Sequence, residues 1–112
     1  AGWLGALRDR QIGYALGLMH RDPARAWTLS SIASEVAMSR SAFASRFAEL
    51  VGEPPMRYLS RWRMHLALDM LRERDPGLAE LASTLGYGSE AAFSRAFKRV
   101  VGITPGMARR TR

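Results

Sequence analysis

The chain has 112 residues, with 17 basic against 10 acidic side chains and a net charge of +7, a surplus that favours a polyanionic partner, nucleic acid first. A hydrophobic content of 47% is enough for one domain, or for two small ones sharing a core. With no cysteine the chain cannot hold a disulfide scaffold, a thiolate zinc site or a cysteine nucleophile, and no apolar run approaches the ~18 residues that cross a bilayer.

Sixteen of the 17 basic residues are arginine. A GC-rich genome would account for that ratio but not for the net charge. Zero cysteines suit a reducing compartment. No signal peptide is visible and the sequence opens on Ala1, so it reads as a piece of a longer protein.

In chain order, Arg8 to His20 has Ile12, Ala15, Leu16 and Met19 at helical spacing, and Arg21-Asp22-Pro23 ends that helix. Thr28 is placed as the N-cap of a short helix through about Val36. A turn at Ala37-Met38 leads to Ser39, a second capping residue, and a helix to about Val51. Gly52 fits the position just past its end, and Pro54-Pro55 start the next helix. That helix, Pro55 to about Arg74, is the longest, with an apolar stripe of Leu59, Trp62, Leu66, Met70, Ala67 and Leu71. Asp75-Pro76-Gly77 breaks it. Leu78 to Leu85 is helical, Gly86-Tyr87-Gly88 turns, and Ser89 to Val101 is helical again. Gly102 closes that helix, Thr104-Pro105 caps and starts a last short one, and Arg109 to Arg112 reads as a frayed basic tail. No segment sustains period-2 alternation, so the fold class is all-α.

One segment occurs twice. Ile32-Ala33-Ser34-Glu35-Val36-Ala37-Met38-Ser39, with Phe43, Phe47, Gly52 and Pro55, returns as Leu81-Ala82-Ser83-Thr84-Leu85-Gly86-Tyr87, with Phe93, Phe97, Gly102 and Pro105. The second copy carries one extra residue at its turn. Each copy reads as helix, tight turn, helix. Ala33 and Ala82 let the two helices cross closely. The turn needs a positive φ, which Gly86 meets readily and Ala37 at a cost of about 1 kcal/mol. Phe43, Phe47, Phe93 and Phe97 face inward at i, i+4, and these four with Trp62 are the expected core. The outward faces carry Arg40, Ser41, Ala44 and Ser45 in the first unit and Glu90, Ala91, Ser94 and Arg95 in the second, short or charged side chains suited to base edges. A linking helix of roughly 20 residues spans about 30 Å, close to the ~34 Å between major-groove faces on one side of B-DNA.

The run Ala33…Met38-Ser39…Phe43…Phe47…Gly52…Pro55…Tyr58-Leu59…Arg63-Met64…Ala67, then Leu81-Ala82…Gly86-Tyr87…Phe93-Ser94-Arg95-Ala96-Phe97-Lys98…Gly102…Thr104-Pro105, resembles the DNA-binding domain of the AraC/XylS family of bacterial transcription regulators, over about residues 9–110. The resemblance implies about seven helices: residues 1–8 ending an upstream linker or domain, a first helix-turn-helix subdomain over 9–52, a linker helix over 53–75, and a second subdomain with a basic tail over 76–112. It places the recognition helices at Ser39–Leu50 and Ser89–Val101. It implies binding to double-stranded promoter DNA in the cytoplasm, RNA polymerase as a further partner, an effector reached only through an upstream domain, and no enzyme activity, cofactor or metal. Phosphate candidates are Thr28, Ser39, Ser89 and Thr104 at helix starts, with Arg46, Arg57, Arg61, Arg63, Lys98 and Arg99. Two features depart from the family pattern. Many members carry arginine at the position of Ser45, whereas here it stands at Arg46, and Met107-Ala108-Arg109 replaces an aromatic-arginine ending.

His20 and His65 have no carboxylate or cysteine partner at ligand spacing and read as structural or surface residues, and no acid pair suggests a catalytic dyad. The methionines and tryptophans read as core, and Arg57, Arg61 and Arg63 could equally be ordinary exposed positions. Two other function classes stand beside promoter binding. One is the AraC-like half of a DNA-repair methyl acceptor, with its thiol outside this sequence. The other is a helical module for proteins or anionic membranes, which lipid-stimulated binding without sequence preference would reveal.

Overall fold

The computed structural model describes residues 3–74 and 76–110, which form eight helices and, among the described residues, no strand. In order they are α1 (Trp3–Arg8), α2 (Arg10–Arg21), α3 (Leu29–Glu35), α4 (Arg40–Val51), α5 (Pro55–Glu73), α6 (Leu78–Thr84), α7 (Glu90–Val101) and α8 (Pro105–Arg110). Their starts follow from short side-chain acceptors. The Asp9 carboxylate accepts from the Gln11 and Ile12 amides, Thr28 forms a reciprocal capping box with Ser31, and the Ser39 and Ser89 hydroxyls accept from the amides of Ala42 and Ala92. α4 and α7 both end on a left-handed glycine, Gly52 at φ 100° and Gly102 at φ 97°. α6 starts at Gly77 without a side-chain cap.

The described chain forms two compact units. The first comprises residues up to Asp22 together with Trp27–Leu59, and the second comprises Pro23–Ala26 with the residues from Ser60 onward. α5 contributes its first turn to one unit and the rest to the other.

In the first unit α2 packs on α3 and α4, and its stripe Ile12, Ala15, Leu16 and Met19 is buried, as are Trp27, Ile32, Ala33, Phe43, Phe47 and Leu59. Phe43 and Phe47 meet at 5.6 Å between ring centroids, and Tyr58 abuts Phe47 edge-on at 5.7 Å. Each fully buried phenylalanine contributes about 2 kcal/mol relative to an exposed one. α1 packs on α2 and α4 and buries Ala6, so residues expected only to end an upstream segment include a helix of this unit.

In the second unit Phe93, Ala96 and Phe97 of α7 pack on Leu81, Ala82 and Leu85 and on Met64, Ala67 and Leu71 of α5. Three expectations change here. The buried row of α5 is Leu59, Arg63, Met64, Ala67 and Leu71, one position on from the predicted stripe, and Leu66 and Met70 lie only at its edge. Trp62 is half-buried rather than core, its ring stacked 5.7 Å from that of His65. The row admits Arg63 because its guanidinium finds backbone acceptors, so the face defined by hydrophobicity alone is turned too far. Finally, Arg109 is no frayed tail residue. It is helical and donates to the Pro76 carbonyl at 2.6 Å, while Thr111 and Arg112 lie outside the described residues.

Candidate nucleic-acid interface

The two helix-turn-helix turns are built by the same pair of backbone bonds. In the first, Met38 N–H donates to Ala33 O at 3.0 Å and Ala37 N–H to Ser34 O at 3.1 Å. In the second, Tyr87 N–H donates to Ala82 O at 2.8 Å and Gly86 N–H to Ser83 O at 3.3 Å. This is the Schellman arrangement, which requires a left-handed residue just past the helix end. Ala37 occupies it at φ 57° and Gly86 at φ 85°. The extra residue of the second copy lengthens the connection from α6 to α7 and leaves the turn bonds unchanged.

Each turn delivers a helix with its aromatic pair inward. Phe43 and Phe47 hold α4, and Phe93 and Phe97 hold α7, all with no solvent exposure. On α4 this leaves Arg40, Ser41 and Ser45 exposed and Ala44 half-buried; Ser39, Arg40, Ser41 and Ala44 line an open groove with Leu29 of α3. On α7 it leaves Glu90, Ala91 and Arg95 exposed and Ser94 half-buried, with Lys98 and Arg99 exposed further along the helix. Among these, α4 offers one cation at its start, whereas α7 offers both signs and a basic end. Arg57 and Arg61 are exposed on α5, Thr28 is exposed at its capping box, and Thr104, half-buried, accepts from the Met107 amide at 3.2 Å.

Arg63 departs from the phosphate candidates. It is only 8% exposed; its Nε donates to Pro23 O and its Nη2 to Arg25 O, both at 2.9 Å. Its guanidinium also lies 5.4 Å from the centre of the Tyr87 ring, which meets Phe93 edge-on. Burial holds the Arg63 pKa below its ordinary value, against the pull of Tyr87, and pushes the Tyr87 phenol up, against Arg63 and Arg99. Arg63 therefore clamps the segment 23–26 within the second unit. The sequence did hold a signal, since Arg63 lies at i+4 from Leu59 and i−4 from Ala67 on the longest helix.

Arg46 is also engaged. Its Nη1 donates to Gln11 Oε1 at 2.8 Å and lies 3.5 Å from Asp9 Oδ2, while Gln11 Nε2 donates to the Val36 carbonyl at 2.8 Å. Asp9 and Gln11 carried no mark in the sequence beyond their place at a helix start. Of the two histidines, His20 shares a 2.7 Å hydrogen bond with the Tyr58 hydroxyl, burial holding its pKa below the ordinary value, and His65 stands 3.7 Å from Asp69. Among the described residues no group of three or more metal-ligating side chains comes together, and no helix is long and apolar enough to cross a membrane.

Residues 32–111 match the helix-turn-helix domain family. A putative AraC-like transcription regulator of Streptomyces lividans is 51% identical over 106 residues, covering 95% of this chain and 35% of that protein. The C-terminal domain of AraT, a response regulator from Geobacillus stearothermophilus, superposes with a TM-score of 0.89 at 26% identity, covering 93% of this chain and 87% of that one. The DNA-binding domain of AdpA, solved in complex with a target DNA, gives 0.83 at 25% identity, covering 88% and 89%. The chain spans about a third of the length of the curated relatives it matches. With its repeated turn and paired aromatic helices, the chain belongs to the AraC-type family of helix-turn-helix DNA-binding domains.

Proposed function

We propose that this domain reads promoter DNA for a bacterial transcription regulator, one chain placing α4 and α7 in two successive major-groove segments. The observation that carries this reading is the repetition itself. Both units set a second helix on a fully buried aromatic pair and leave its opposite face exposed with short or charged side chains. Arg95 has the reach and geometry for a bidentate bond to guanine O6 and N7, Glu90 can accept from cytosine N4, and Ser94 can bond either way. On α4, Arg40 reads at the helix start, and Ser41, Ala44 and Ser45 admit a close approach of the bases. Ser39, Ser89, Thr28 and Thr104 at helix starts, with Arg57, Arg61, Lys98 and Arg99, supply phosphate contacts that fix register. The +7 charge supports the salt-dependent part of the affinity.

In the longer protein this reading assigns effector sensing to a separate domain and adds RNA polymerase as a partner at the promoter, in the bacterial cytoplasm. Selection of bound sites from random duplex DNA tests the reading. It should return two short conserved segments about one helical turn apart. Inserting about 5 bp between them should remove most of the specific affinity. Unchanged affinity after that insertion rules out two-headed reading.

A further inference from the structure

Arg46 lies in the middle of α4, and its side chain reaches past its own helix to the start of α2. Its Nη1 donates to Gln11 Oε1 at 2.8 Å, and the Asp9 carboxylate stands 3.5 Å away. Asp9 is already the N-cap of α2, its Oδ1 accepting from the Gln11 and Ile12 amides at 3.1 and 3.0 Å. Gln11 passes the connection on, its Nε2 donating to the carbonyl of Val36 at 2.8 Å. Val36 is the C-cap of α3 and directly precedes Ala37, the left-handed residue of the turn. The amide of Gln11 thus spends one end on the recognition helix and the other on the turn that aims it.

We propose that Asp9, Gln11 and Arg46 form a positioning relay that fixes the angle of α4 against its turn, so that Arg46 serves DNA reading without touching phosphate. This rests on α4 being a recognition helix. A guanidinium facing a carboxylate has much of its charge answered within the protein, which leaves little of it to displace counterions from DNA. The Val36 carbonyl also gains an acceptor role just where the chain departs from helical geometry, at a left-handed alanine that has no glycine freedom.

The test compares Gln11→Met, Arg46→Gln and the double variant of the 112-residue chain. Each is measured on a selected duplex and on a scrambled one across a salt series, and each by amide hydrogen exchange. Gln11→Met keeps the length and helix preference of the side chain and removes both hydrogen bonds. We expect each single variant to lower the ratio of selected to scrambled affinity about fivefold, the effect of one net hydrogen bond. The double variant should lose no more than the larger single one, because the bonds act in series. The salt slope should stay unchanged, and the Ala37 and Met38 amides should exchange about tenfold faster while the Phe43 amide keeps its protection. If Arg46→Gln flattens the salt slope by about one unit while Gln11→Met leaves the affinity ratio alone, Arg46 is a phosphate contact and the relay is wrong. Should the unmutated chain prefer neither duplex, the DNA reading of α4 fails, and the exchange measurement still decides the relay: unchanged rates at Ala37 and Met38 in Gln11→Met overturn it.

Discussion

The two helix-turn-helix units solve one geometric problem with different residues, and the surroundings explain the choice. Both turns place a left-handed residue between the same two backbone bonds. Ala37 does so on an exposed turn, where its methyl group costs backbone strain alone. Gly86 has no room for a methyl group. A Cβ built there would stand 2.8 Å from Ala24 O, 2.9 Å from Pro23 O and 3.0 Å from Arg63 Nη2. The first turn thus tolerates a side chain where the second cannot, because the Arg63-clamped segment 23–26 occupies the space beside it. A glycine in a repeat motif answers to its neighbours as much as to its own φ.

The largest effects should come from what the units share. Phe43→Ala and Phe93→Ala each remove a ring with no solvent exposure and should cost about 3–5 kcal/mol, a large share of the total for a domain of this size. Urea denaturation checks this, and a midpoint unchanged in either variant would mean the inward assignment of that helix is wrong. Comparable losses in both would show that the repeat extends to its energetics.

The next effect is confined to the second turn. Gly86→Ala meets about 1–2 kcal/mol of left-handed strain, and its methyl group collides with two carbonyl oxygens that belong to the backbone and cannot swing aside. A loss of about 3 kcal/mol is expected, with faster amide exchange at Tyr87. A loss below about 1 kcal/mol would mean that the 23–26 segment yields easily, and the Arg63 clamp would then be weak.

The recognition faces should differ in what they read. Arg95→Ala should cost about 1–3 kcal/mol on the selected site and relax preference at one or two base pairs. If Arg61 touches phosphate, Arg61→Ala should weaken binding to all sequences alike and lower the salt slope by about one unit. Binding curves on selected and scrambled duplexes separate the two. An equal loss on both DNAs for Arg95→Ala would make its role electrostatic and leave base reading on α7 to Glu90 and Ser94.

Most of this architecture is legible in the sequence because it is dictated locally. Thr28, Ser39 and Ser89 cap helices, Gly52 and Gly102 end them, and i, i+4 phenylalanines point inward, all through short-range geometry. What escaped depends on contacts distant in the chain. The spacing of Arg63 from Leu59 and Ala67 fits the buried row of α5, but nothing near it reveals that the carbonyls of Pro23 and Arg25 await a guanidinium there. Asp9 and Gln11 lie over 30 positions from Arg46. Trp62 misleads in the opposite direction, since its large apolar ring suggests core although it is half-buried and stacks on the exposed His65. Arginine and tryptophan share this ambiguity because each carries a polar group on a long apolar body.

The smallest effect carries the sharpest comparison, because glycine should be favoured over alanine at both turns but by very different amounts. Ala37 pays the left-handed cost of about 1–2 kcal/mol for an alanine, and glycine would remove it. Against this, glycine adds freedom to the unfolded chain, which costs about 0.4–1 kcal/mol. Ala37→Gly should therefore stabilise by about 0.5 kcal/mol, whereas the mirror change Gly86→Ala destabilises severalfold more. The Ala37 methyl is exposed, so no packing loss offsets the gain. A rise in the urea midpoint at an unchanged slope would confirm relief of strain in the folded state. A fall would mean that the Gln11 bond to Val36, next to this residue, depends on the stiffness of alanine, and the first turn would then owe its geometry to that residue rather than tolerate it.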